Sequence, residues 1–279
     1  MLPRACAHSH NVAARVAARV AARVGVGVGA VRLVARMVVG LAFLATAVAS
    51  LFAQATLVRY TRLRKPHELA WTISLTMFAL ASAALATGAS TGWDRGTFRA
   101  FYLLGAVLTV PWLALGTVSL LLGPPAGRRA QWGLVLFTGL ATGVLLVAPM
   151  HGPIPRDTIP VGKDVFGVFP RVLAAAGSGV GALVIFAGAA WSTGRYARAR
   201  GIGGRARMAA SNALVALGTL VLSSGGLVQG VVGHDEAFTL SLATGITVIY
   251  AGFLVASASP RRASATASAS RPEVAGLAR

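Results

Sequence analysis

Two histidines and four carboxylates form the one grouping in this sequence with the makings of a metal site. His151, Asp157 and Asp164 share one loop, and His234, Asp235 and Glu236 share another. Imidazole nitrogens and carboxylate oxygens together suit a divalent cation, so His151 and His234 are the candidate ligands. No ligand spacing links the two groups, and ordinary polar loop residues read the same way. The sequence therefore assigns neither a metal nor a cofactor. A smaller grouping, His67 and Glu68, follows Lys65 and Pro66. It reads either as a small site or as the polar start of a helix, with proline in the first turn.

Three large polar side chains, Gln54, Asn212 and Gln229, interrupt otherwise apolar runs. Together they suit an intramembrane polar path for a neutral solute. They equally suit interhelical hydrogen bonds, worth under about 2 kcal/mol each. No apolar run contains Asp, Glu, Lys, Arg or His. Ionisable groups inside a bilayer are costly and mark proton or ion pathways, so their absence argues against a proton-coupled transporter and a deep metalloenzyme. Retinal chemistry needs a lysine in the last span, whereas Lys65 and Lys163 are the only lysines and both lie in loops.

The elements that must carry these residues are membrane spans. Of 279 residues, 56% are hydrophobic and 12% charged, against roughly 25% charged in soluble domains. The mean hydropathy is +0.71. A span needs about 20 apolar residues, and seven charge-free runs qualify: 37–58, 69–88, 100–122, 131–150, 172–192, 208–232 and 237–258. The expected fold is an all-α polytopic transmembrane bundle, one domain over residues 37–258. A basic, Ala/Ser-rich tail follows over 259–279, with the composition of a disordered segment. Trp71, Trp93, Trp132 and Trp191 fall at span ends, where amphipathic rings prefer the headgroup level. Trp112 and Tyr250 fall mid-span, where packing explains them. Pro111 predicts a kink in the third span. Glycine pairs at four-residue spacing (139/143, 177/181 and 226/230) predict close helix packing.

Charge gives the expected orientation. The net charge is +19, and the cations cluster beside apolar runs, which points to lipid and not to nucleic acid as the partner. The loops after spans one, three and five, with the tail, hold fifteen Lys and Arg, against five in the alternate loops. The richer side is cytoplasmic by the positive-inside rule, so the C-terminus lies inside and the N-terminus outside. Residues 1–36 conflict with this, since Arg4, Arg15, Arg19, Arg23, Arg32 and Arg36 would lie outside. Their Ala-Ala-Arg-Val repeat suits an interfacial helix, an Arg-rich targeting segment, or low-complexity sequence ahead of a start at Met37. The last of these, a segment absent from the mature protein, is the reading adopted. The single cysteine, Cys6, cannot form an internal disulfide.

The stretch Glu68-Leu69-Ala70-Trp71-Thr72, then Tyr102-Leu103-Leu104-Gly105-Ala106, then Trp112-Leu113 with Leu115-Gly116 is the most distinctive part of the chain. It resembles uncharacterised multi-pass membrane proteins of high-GC bacteria. The resemblance covers about a fifth of the sequence and implies a seven-helix bundle in the cell membrane with no assigned activity, so it carries over no site residues. The chain lacks the proline-glutamine repeat of sugar exporters and the intramembrane histidines of ceramidase-like hydrolases. The expected function is a non-enzymatic membrane module: an accessory, sensor or scaffold with a membrane-protein partner. The alternatives are a permease for a neutral or lipophilic solute, and an outer-face metal-binding protein or enzyme.

Overall fold

The computed structural model describes residues 4–156, 158–198, 205–231 and 235–257. It is helical throughout these residues, apart from short connections and an isolated bridge between Met150 and Phe166. The helices are α1 (Arg4–Leu63), α2 (Pro66–Thr91), α3 (Arg95–Phe101), α4 (Thr109–Leu121), α5 (Gly123–Val147), α6 (Gly162–Val165), α7 (Val168–Arg198), α8 (Arg205–Val231) and α9 (Asp235–Ser257). A π-helical segment, Tyr102–Leu108, joins α3 to α4 and makes Arg95–Leu121 one continuous rod.

Among the described residues, six helical stretches are long and apolar enough to cross a membrane: Leu33–Leu63, Pro66–Thr91, Arg95–Leu121, Gly123–Val147, Val168–Ser192 and Asp235–Ser257. The chain has the build of a multi-pass integral membrane protein. The remaining run expected from the sequence falls on α8, a helix of 27 residues whose apolar stretch is Ala210–Gly226.

Packing passes from α1 to α2, then α4, α7, α8 and α9, and returns to α1. α5 lies outside this ring, against α4 and the π segment. Of the three buried apolar clusters, one lies at one end around Trp93, Phe98 and Phe166, and the other two fill the body. One joins α1, α2 and α9 through Phe52, Leu75, Phe78 and Ile246. The other joins α2, the π segment, α4, α5 and α7 through Val107, Trp112, Leu115, Leu145 and Leu173. Lipid is as apolar as these side chains, so shape complementarity and hydrogen bonds hold such a bundle more than water exclusion does.

The expected distortion at Pro111 is present, and it takes the form of the π segment one turn earlier. Pro111 has no N–H for the Val107 carbonyl, and its ring crowds that group. The chain widens instead: the Thr109 N–H bonds the Leu104 carbonyl, five residues back. Hydroxyls brace the irregular turns, with Ser178 of α7 donating to the Ala106 carbonyl and Ser74 of α2 donating to the Thr109 carbonyl at 2.7 Å. Backbone groups freed by a proline in a span are commonly satisfied this way.

One end of the bundle holds the α1–α2 turn, and the other is covered by the segment 148–167. This covering segment is packed. His151 N–H bonds the Val165 carbonyl at 2.9 Å, and Ile159, Val165 and Phe166 are buried. Trp93 was expected at the headgroup level but is 4% exposed. It packs edge-on to Phe98 and Phe101, within an aromatic cluster that Tyr102 and Phe166 continue. Trp132 and Trp191, at 72% and 68% exposure, do sit on the surface as span-end rings should.

Candidate functional site

The most unusual group in the bundle is Glu68. Its side chain is fully buried, although it stands in the first turn of α2. The local sequence explains its position. Arg64 adopts a left-handed φ of 52° and closes α1 through its N–H to the Tyr60 carbonyl at 2.7 Å. Lys65 is extended and Pro66 starts α2. The turn is so tight that Glu68 enters the bundle beside the last turns of α1.

Arg59 of α1 meets it there. Arg59 Nε lies 2.8 Å from Glu68 Oε1, and Arg59 Nη1 donates to Ser257 Oγ at the end of α9, at 2.9 Å. The guanidinium also lies over the Phe253 ring, 5.3 Å from its centroid. One cation thus ties together α1, α2 and α9. His67 Nε2 is 3.8 Å from Glu68 Oε1, and its ring packs edge-on to Trp71. One turn deeper, Thr72 Oγ1 bonds Thr56 Oγ1 at 3.0 Å. Glu68 Oε2 has no partner among the described residues. Burying a carboxylate is expensive unless it is paired and hydrogen-bonded, so this oxygen is, with Gln229 Oε1, one of two buried acceptors without a donor among the described residues.

The pair corrects one sequence expectation. Starting the second run at Leu69 left every acid outside the spans, and the exclusion of ion-coupled chemistry rested on that. The apolar helix starts at Pro66 and takes Glu68 inside. The polar-helix-start reading of His67 and Glu68 is right about Pro66 but omits Arg59, nine residues before Glu68 across the turn. A signal existed: Glu68 is the one acid in the cation-rich loops between spans.

At the opposite end the residues behave differently. His151 and Asp164 are exposed, and Asp235 and Glu236 are part-buried. Asp157 and His234 lie outside the described residues, so the His151–His234 pair has no geometry to report. Among the described residues no three His, Cys, Asp or Glu side chains gather as a metal site would require. Asp235 is already engaged: Oδ2 accepts the Ile159 N–H at 2.8 Å and Oδ1 accepts from Gln229 Nε2 at 2.9 Å. It pins the covering segment to α8 and α9. Replacing Asp235 with Ala leaves the amide of buried Ile159 unpaired, which costs about 1–3 kcal/mol. Limited proteolysis should then cut within 151–161 faster than in wild type. Asp235→Asn keeps an acceptor and should be cut at close to the wild-type rate.

Asp94, before α3, accepts from Gly96 N–H at 2.7 Å and Thr97 N–H at 3.0 Å, and from the Thr97 hydroxyl. The Thr97 side chain first, then the amides, hold its carboxyl below the usual carboxylate value. This cap is therefore fully stabilising above the ordinary carboxylate range and is lost as pH falls through the lowered value.

The three mid-run amides occupy separate places. Gln54 is on the exposed face of α1. Asn212 Nδ2 donates to Ser192 Oγ at 2.8 Å, joining α8 to α7. Gln229 is buried against Asp235, seventeen residues further along α8, or roughly 25 Å of helix rise. No protein-family model matches the chain, and no curated protein matches it at a significant level.

Proposed function

We propose that this chain is a seven-span protein of the bacterial cell membrane, with an external N-terminus and cytoplasmic C-terminus. It serves as a non-enzymatic module, an accessory, sensor or scaffold subunit, of the uncharacterised family that its 68–116 segment resembles. α8 supplies the seventh span. The observation that carries the reading is how the interior polar groups are used. Ser74, Ser178, Thr72 and Asn212 each bond a neighbouring helix, and Trp112 Nε1 donates to Thr138 Oγ1 of α5 at 3.2 Å. Their hydrogen-bonding capacity goes into holding helices together, as in a fixed body with a role at its surface.

Two measurements test this. A reporter active only in the cytoplasm, fused after Arg262, should be active. One active only outside should work when inserted after Gly152, an exposed glycine with a φ of 69°. Exchange of the two results would overturn the orientation. Cross-linking in native membranes should capture a stoichiometric membrane-protein partner. A chain that stays alone, and is stabilised by one neutral solute in a thermal screen, would support the permease in its place.

A further inference from the structure

The outward face of α1 carries an amide that the bundle does not use. Gln54 is exposed and forms no hydrogen bond with the described residues. It stands five residues before Arg59, or roughly 7.5 Å of helix rise inside the cations of that end. Side chains on a helix lean toward its N-terminus, so Gln54 leans away from Arg59 and into the apolar layer. Gln131 of α5, the other exposed amide in a described span, stands two residues after Arg129 and leans back toward it. Asn212 and Gln229 already have partners inside the bundle. An amide that reaches neither water nor a partner is costly in hydrocarbon.

The residues around Gln54 form a continuous seam. Gly40, Leu44, Ala47, Leu51, Gln54 and Val58 are all exposed, and they recur at alternating spacings of four and three. Leu51 is 55% exposed, and an added Cβ on Gly40 would meet nothing within 4 Å. Such a strip packs against a like strip at about +20°. Any outward helix face has this spacing, and an apolar strip alone has no reason to leave the acyl chains. The amide within it is what asks for a partner.

The occupant follows from the chemistry of the amide. Its carbonyl end carries partial negative charge and its NH2 end partial positive charge. Two such groups related by a two-fold axis are therefore complementary and pair through reciprocal hydrogen bonds. Copies of one chain lie the same way up in one membrane. A two-fold axis along the membrane normal then places the same residue of each copy face to face at equal depth. Any other partner needs a matching group at that depth, whereas a second copy has it by construction. We infer that the chain pairs with a second copy of itself through the outward face of α1, with Gln54 hydrogen-bonded to the partner subunit's Gln54 across the seam. The inference rests on the membrane reading alone, and not on the span count, the orientation or the accessory role.

The test uses the full chain in liposomes of phosphatidylethanolamine and phosphatidylglycerol. Energy transfer between copies labelled at the C-terminus follows self-association as the protein is diluted with lipid. Wild type should associate, and Gln54→Leu should weaken the association constant roughly three- to thirty-fold, as loss of an interhelical hydrogen bond in a membrane does. The melting temperature of Gln54→Leu as a detergent-solubilised monomer should match wild type, because Gln54 has no partner within its own chain; this separates loss of pairing from loss of fold. Gln54→Asn keeps an amide and should associate more strongly than Gln54→Leu. With Cys6→Ser as background, oxidation of Ala47→Cys should give a disulfide-linked dimer, and Leu136→Cys on the outer face of α5 should not. A monomeric wild type, or association of Gln54→Leu equal to wild type, would overturn the inference. Cross-linking at Leu136→Cys in place of Ala47→Cys would overturn it in favour of α5, and cross-linking of Ala47→Cys to a different membrane protein would give the seam to that protein.

Discussion

Arg59→Ala should destabilise the bundle far more than Glu68→Gln, although the two substitutions remove the same ion pair. The difference lies in what each leaves behind. Glu68 has no exposed surface, whereas the Arg59 side chain is 40% exposed. Without Arg59, the Glu68 carboxylate is buried with the His67 imidazole 3.8 Å away. Breaking a buried pair in that sense costs about 3–5 kcal/mol. Without the Glu68 charge, Arg59 still has Ser257 and the Phe253 face and can hydrate, and the glutamine amide put in place of the carboxylate still offers a carbonyl. An exposed pair is worth about 0–1 kcal/mol, and Glu68→Gln should fall near that range. Arg59→Lys should fall between them, since an ammonium can reach Glu68 but lacks the fork that bonds Ser257 at the same time. Melting of the three purified variants checks the order. Equal losses for Arg59→Ala and Glu68→Gln would mean that burial of the carboxylate does not dominate this site.

The helices were legible because a charge-free run of span length has few other uses, and six of the seven runs correspond to helices fit to cross a membrane. The irregularity of the third span was legible for a similar reason, since Pro111 removes a specific donor wherever it sits, although it takes the form of a π segment. What pattern alone missed depended on partners far away in sequence. Trp93 near a span end has the sequence signature of a headgroup anchor. It becomes a core residue because Phe98, Phe101 and the covering segment close over it. Glu68 missed the second run by one position, and its burial depends on how tightly the turn at Arg64 brings α1 back against α2. Asp235 was grouped with His151 and His234 on charge type. Its actual bonds, to Ile159 and Gln229, answer the backbone and amide groups that the fold presents to it.

The glycine pairs show how much the partner decides, and they yield the second large effect. All three pairs have the same spacing, and the sequence ranks them equally. A Cβ on Gly177 would stand 3.0 Å from the Val107 carbonyl oxygen and 2.9 Å from the Phe137 ring, and one on Gly181 would stand 3.0 Å from the Val110 backbone. These contacts lie at the π segment and the turn containing Pro111, where α7 must come close for Ser178 to reach the Ala106 carbonyl. Gly139 and Gly143 face open space, with nothing within 4 Å of an added Cβ. Gly177→Leu should therefore force α7 off the π segment and α4, losing the Ser178 bond and the packing of the rod. Overpacking of this kind costs about 1–3 kcal/mol, and the lost bond about 0.5–1.5 kcal/mol more. Gly139→Leu adds a methyl-rich side chain to a lipid-facing surface of α5 and should leave the melting temperature unchanged or slightly raised, since glycine in a helix interior is itself unfavourable by roughly 0.5–1 kcal/mol. Opposite signs for the two substitutions are the expected result. A loss at Gly139 as large as at Gly177 would mean that the outer face of α5 is covered in the native protein, and would turn attention to a partner helix there.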